Sequence, residues 1–202
     1  MKKKLFYAAA VLMLAACSST KVINMHDEDE KAGMSAVMAL EYRDFEQTSN
    51  EMVADMVATG AVTNPNGGRY VMVVSRIVND TMQRIDTDQL VKKIRSQLLR
   101  SGKVVVTNAV GLNEAEDPMV MKARKLRKSK EFNQGNVAGK GNLIAPDLSL
   151  SGKIIQKNLK LDWGKERVEY YFQMSLTDIN SGLVIWEDEK PIIKEGKEAP
   201  IW

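Results

Sequence analysis

Apolar positions change character three times along the chain. Leu5 to Leu14 form an unbroken apolar run of ten residues behind Lys2, Lys3 and Lys4. A bilayer span needs about 20 such residues, so the run reads as the core of a secretory signal and not as a transmembrane helix. From Ser18 to about Met38 the sequence is polar and carries the acidic run Asp27-Glu28-Asp29-Glu30. So little apolar content predicts a flexible tether. Beyond Ala39 apolar residues recur at helical and strand spacings, which predicts a folded domain over 39–202.

The first helix is expected to open near Asp44, where Asp44 and Gln47 have capping-box spacing, with Thr48 and Glu51 as a competing start. Phe45, Met52, Val53 and Met56 fall on one face, and Thr59-Gly60 closes the helix before the turn-rich Asn64-Pro65-Asn66-Gly67-Gly68. Tyr70-Val71-Met72-Val73-Val74 is a continuous, β-branched apolar run, which suits a strand buried on both faces and central in its sheet. A second helix starts at Asp86, Thr87 and Asp88, buries Leu90, Val91, Ile94 and Leu98, and stops at Gly102. Lys103 to Thr107 is the next strand, so strand, helix and strand form a right-handed parallel crossover. Asp117-Pro118 opens a third helix with Val120, Ala123 and Leu126 inward, followed by a glycine- and asparagine-rich loop to about Ala145.

The C-terminal third alternates instead. Leu148, Leu150 and Ile154, then Tyr170, Phe172, Met174 and Leu176, are separated by polar residues, as in half-buried antiparallel strands. Asp178 to Gly182 is a hairpin turn into Leu183 to Trp186, and the charged residues Glu187 to Lys190 end or solvate that strand. The expected fold class is α/β (α+β). A mixed four- to five-stranded sheet has a βαβ start and a C-terminal antiparallel meander, and three or more helices pack on it.

The apolar run ends in Leu14-Ala15-Ala16-Cys17, a lipobox: two small residues present the chain's one cysteine for lipidation. The expected organisation is a cleaved signal over 1–16, a lipidated tether over 17–38 and a globular domain over 39–202. Ser18 after the cysteine matches lipoproteins sorted to an outer membrane. Processing also changes the charge. The chain has 29 basic and 26 acidic residues, and three of the basic ones lie in the signal, so the mature protein carries 26 of each. No net positive field remains to favour nucleic acid.

Candidate chemistry is sparse. His26 is the one histidine and lies in the tether, which leaves no Ser-His-Asp or Cys-His arrangement and no imidazole metal cluster. No phosphate-binding glycine loop is present, and no cofactor is expected. Asp162, Glu166 and Glu169 surround the turn at Trp163-Gly164 and would be the carboxylates of any glycan-cleaving site, although turn and edge solvation is the simpler account. The twelve methionines are scattered, as core filling requires and a Cu(I) site does not. The basic run Lys122, Arg124, Lys125, Arg127, Lys128 and Lys130 is the sharpest local charge feature. It reads as the solvated face of the third helix, or as a docking patch for an acidic partner, anionic headgroups or cell-wall carboxylates.

Three segments resemble the LpoB-like lipoproteins that activate class A penicillin-binding proteins. Tyr70 to Thr81, ending Val78-Asn79-Asp80-Thr81, is similar to the family's first strand and its short loop. Asp86 to Thr107, with the corner Ser101-Gly102-Lys103, is similar to its helix and next strand, and Asp147 to Trp186, with Leu150-Ser151-Gly152-Lys153-Ile154, to its last three. The likeness extends over about Ala39 to Lys194. It implies a non-enzymatic domain like the TolB N-terminal fold, lipid-anchored to the outer membrane and facing the periplasm. Such a domain reaches through peptidoglycan, with peptidoglycan itself as a further contact, to a class A penicillin-binding protein, and shifts that synthase towards its active state. The expected contact residues are Asn79, Asp80, Thr81 and Arg84 with Arg124, Arg127 and Lys128 of the basic helix, and the loop Ser129 to Pro146 is enlarged relative to the family. The alternative is a structural or secretion-associated envelope lipoprotein built on the same kind of domain.

Overall fold

The computed structural model describes residues 38–111 and 117–197. Cys17, the signal, His26 and nearly all of the expected tether lie outside the described residues. Among the described residues the chain runs α1 (Tyr42–Ala58), β1 (Tyr70–Asp80), α2 (Thr87–Arg100), β2 (Val104–Val106), α3 (Pro118–Lys125), β3 (Leu148–Lys160), β4 (Lys165–Asp178) and β5 (Val184–Lys197). The sheet order is β2-β1-β3-β4-β5. Strand β1 is parallel to both neighbours, while β3, β4 and β5 form the antiparallel meander. The fold class read from sequence is therefore the one observed.

The core lies on one face of the sheet. Met72, Val74 and Ile77 of β1, Leu148, Leu150 and Ile154 of β3, and Val168, Tyr170, Phe172, Met174 and Leu176 of β4 meet Met52, Val53 and Met56 of α1 and Leu90, Ile94 and Leu98 of α2. In β4 every second residue from Glu166 to Leu176 is buried. That alternation leaves the other face polar, with Gln173, Ser175 and Thr177 at the intervening positions.

Three expectations are corrected, and of the two readings of Glu187 to Lys190 the solvated strand is the one observed. Helix α1 opens at Tyr42, with Asp44 reaching back so that its Oδ2 accepts the Glu41 N–H at 2.8 Å. Asp44 is thus the last residue of the capping box and not its first, and Thr48 is buried inside the helix. Strand β1 does bury Met72, Val73 and Val74 in succession, but β3 holds the centre of the sheet. Helix α3 has no buried residue, so Val120, Ala123 and Leu126 do not enter the core. Strand β5 runs on through Glu187 to Lys190 and Pro191 as far as Lys197. Proline is tolerated there because β5 is an edge, and charge along an edge discourages pairing with other chains.

Candidate functional site

The connection from β1 to α2 is built by its own side chains. Asn79 Oδ1 accepts from the Thr81 N–H at 3.2 Å and from the Thr81 hydroxyl at 2.7 Å, and Asn79 Nδ2 donates to the Gln83 carbonyl at 2.8 Å. Asp80 is ion-paired to Lys153 at 2.6 Å. Of the four contact residues expected here, Asn79 and Thr81 are thus occupied with the loop, Asp80 is paired across to β3, and Arg84 is exposed.

Gln83 has a role that sequence reading missed. Its amide mimics a strand partner: the Leu40 N–H donates to Gln83 Oε1 at 2.8 Å, and Gln83 Nε2 donates to the Leu40 carbonyl at 2.9 Å. Nearby, Tyr170 Oη donates to the Met38 carbonyl at 3.1 Å and Lys194 Nζ to the Ala39 carbonyl at 2.8 Å. These bonds fix the segment by which the N-terminal region joins the domain, directly beside the loop. Arg84, Tyr42, Phe45, Ile85 and Lys93 line a shallow groove of about 180 Å³ between this segment and α2. Burial alone would lower the Lys93 ammonium, but Tyr42 and Glu46 hold it above its ordinary value. Its Nζ lies 2.9 Å from Glu46 and 3.7 Å from the centre of the Tyr42 ring.

The basic helix stands apart from this loop. The segment 107–147 leaves and rejoins the sheet beside the start of β1, where the Thr107 N–H donates to the Met72 carbonyl and the Asp147 N–H to the Val71 carbonyl. The Asn79 loop follows eight residues further along β1, roughly 25 Å at strand rise. Arg124 and Arg127 turn inward. Arg124 Nη1 donates to the Val120 carbonyl at 3.0 Å, while Arg127 clamps the enlarged loop through Ala138 and Gly139 carbonyls at 2.7 and 2.8 Å. Outward, Lys122, Lys125 and Lys128 alternate with Met119, 60% exposed, and Met121, 52% exposed. Among the described residues no carboxylate forms an ion pair with these three lysines.

The carboxylates near Trp163 do not converge. Glu166 and Glu169 are three residues apart on β4 and so point to opposite faces. Glu166 Oε1 accepts from Asn158 at 2.8 Å, and Glu169 accepts from the Tyr171 hydroxyl at 2.6 Å.

No curated protein matches the sequence. Among solved structures, the LpoB C-terminal domain from Escherichia coli is 13% identical, with 74% of this chain and 98% of that chain covered and a TM-score of 0.44. The lipoprotein GNA1162 from Neisseria meningitidis is 11% identical, with 65% and 87% covered and a TM-score of 0.35. The PelC dodecamer from Paraburkholderia phytofirmans is 22% identical, with 67% and 78% covered and a TM-score of 0.30. The family described as peptidoglycan-synthase activator LpoB matches residues 44–192, from the first turn of α1 to β5, and the chain belongs to that family.

Proposed function

We propose that this protein is a non-enzymatic, lipid-anchored envelope protein that binds and activates a class A penicillin-binding protein, with the outward face of α3 as its principal contact. Family membership supports the activator role. The observation that carries the choice of surface is α3 itself. None of its residues is fully buried, and it presents cations interleaved with two exposed methionines. A merely solvated helix has no need of exposed Met119 and Met121; a docking face uses such flexible apolar side chains as anchors within a charged rim. Arg124 and Arg127 hold the module in shape, and Arg84 offers a second contact on the other loop. Activation then requires tighter binding to the synthase's active conformation than to its inactive one.

The test is glycan polymerisation and crosslinking by purified class A synthases of the host with added unlipidated chain from Ser18 onwards. Stimulation is expected, and Lys122→Glu, Lys125→Glu and Lys128→Glu together should weaken it at least about tenfold by removing the charge complement. No change in any synthase would overturn the activator reading; stimulation untouched by the triple variant would move the contact elsewhere. Anchoring through Cys17 is tested separately. Among the described residues every buried apolar side chain lies between Leu40 and Trp186, and Cys17→Ala is expected to fold normally and to leave the membrane fraction. Retention of that variant after salt and carbonate washing would count against the anchor.

A further inference from the structure

The hairpin joining β3 to β4 carries the most exposed large apolar side chain among the described residues: Trp163 is 97% exposed. Its backbone is unusual as well. Trp163 has φ of +66° and is followed by Gly164 at +65°, a pair of left-handed residues for which Gly, Asn or Asp is the ordinary choice. A tryptophan in the first of those positions is strained and covers no core. Leu159 beside it is 42% exposed, and Lys160 and Lys165 flank the turn, with Asp162 in the turn and Glu166 as the cross-strand partner of Lys160.

The position of this tip gives the exposure a meaning. The N-terminal segment joins the domain at the same end of the sheet. Met38 is held by Tyr170, and its side chain lies against Gly196, which is paired with Glu166, three residues from Trp163. The tip therefore projects roughly 10 Å beyond that junction at strand rise. About 20 residues separate Cys17 from Met38, and a chain of that length spans only about 25 Å when relaxed. An acyl chain on Cys17 would thus keep this end of the domain close to the bilayer.

We propose that the Trp163 hairpin is a membrane foot, which seats in the interface of the bilayer that holds the lipidated Cys17. This rests on the anchor reading and not on the identity of the synthase. Indole suits the headgroup level because it joins an apolar body to a polar N–H, and the flanking Lys165 can reach lipid phosphates. The contact can be weak, because the anchor makes it intramolecular at millimolar effective concentration. The module around α3, which leaves the sheet at the opposite end of β3, stays clear of that bilayer.

Lipidated Trp202→Phe protein in vesicles of equal parts phosphatidylglycerol and phosphatidylcholine, retaining Trp163 and the buried Trp186, provides the test. Spin-labelled lipid should quench Trp163, and aqueous acrylamide should not. Trp163→Asn, which tolerates the backbone region, should abolish the lipid quenching while leaving the protein folded and afloat with the vesicles. The unlipidated chain should bind the same vesicles at least about a hundredfold more weakly. A chain that floats while Trp163 remains open to acrylamide overturns the foot and leaves the anchor standing. Shielding of Trp163 that needs added peptidoglycan or synthase also overturns it. A lipidated chain that does not float overturns both.

Discussion

Gly152→Ala is expected to lower the stability of the domain by about 2–3 kcal/mol, and Gly152→Val to prevent it from folding. Gly152 occupies the core-facing position of β3 between Leu150 and Ile154. A Cβ built there would sit 2.7 Å from the Gln173 backbone carbonyl oxygen, 3.5 Å from Met174 Cγ and 3.6 Å from Ile77 Cγ1. Methionine and isoleucine side chains can give way by a few tenths of an ångström, but the carbonyl belongs to the β3–β4 ladder and cannot move without breaking the sheet at its centre. The same place accommodates an irregularity on the other side, because the register of β1 against β3 shifts between Val74 and Ile77. Bulge and glycine together let three strands approach where an ordinary residue would wedge them apart. In a domain of this size about 2–3 kcal/mol corresponds to a fall in Tm of roughly 5–10 °C. A melting curve for Gly152→Ala within a degree or two of wild type would show that the strands can part there cheaply.

Gly152 also shows how far the sequence could be read. It is the middle of the Leu150 to Ile154 stretch that carried part of the family resemblance, yet its spacing alone says nothing of Gln173, which approaches from the next strand. Local patterns were legible wherever burial has a period. The β-branched run of β1 and the alternation of β4 predicted their strands, and Asp86 caps α2 with its Oδ1 accepting the Asp88 and Gln89 N–H groups at 3.1 Å. The pattern of α3 misled, because Val120, Ala123 and Leu126 have core spacing but no core to meet. Periodicity describes a stripe on a helix and cannot show whether a neighbour covers it. The candidate site was legible only as composition. Which cations turn inward, and that Gln83 joins the loop to Leu40, depend on partners up to 43 residues away. Trp163-Gly164 was legible as a turn, but the exposure of the indole on a hairpin tip is a property of the fold.

The largest pH effect should come from Tyr170. Its ring is fully buried in the core while its hydroxyl donates to the Met38 carbonyl at 3.1 Å. Burial first, and then the nearby Asp44 and Glu166 carboxylates, push the phenol up to about 12 from the ordinary 10. A phenol whose folded value lies above its unfolded value binds its proton more tightly in the native state. The stability this confers is complete below pH 10 and is lost as the pH rises towards 12, because the unfolded chain ionises first. At full strength a rise from 10 to about 12 corresponds to about 2–3 kcal/mol, which solvent screening at the part-buried hydroxyl reduces to about 1–2 kcal/mol. Tyr171 is shifted the same way by its bond to Glu169 and Lys93 is also raised, so the alkaline slope of the wild type is not due to Tyr170 alone. Tyr170→Phe isolates it. Below pH 9 the variant should be less stable by about 1 kcal/mol, the net worth of one hydrogen bond. Above pH 11 the two proteins should cross, since phenylalanine has no proton to lose. Urea denaturation across that range reads both arms, and parallel curves would mean that the hydroxyl ionises in the folded state as readily as in water. Because the partner of this hydroxyl is Met38, the same titration should release the junction at the N-terminal side of the domain. Proteolytic cleavage near Ala39 should therefore accelerate at alkaline pH before the sheet itself unfolds, and in Tyr170→Phe it should be fast already at neutral pH.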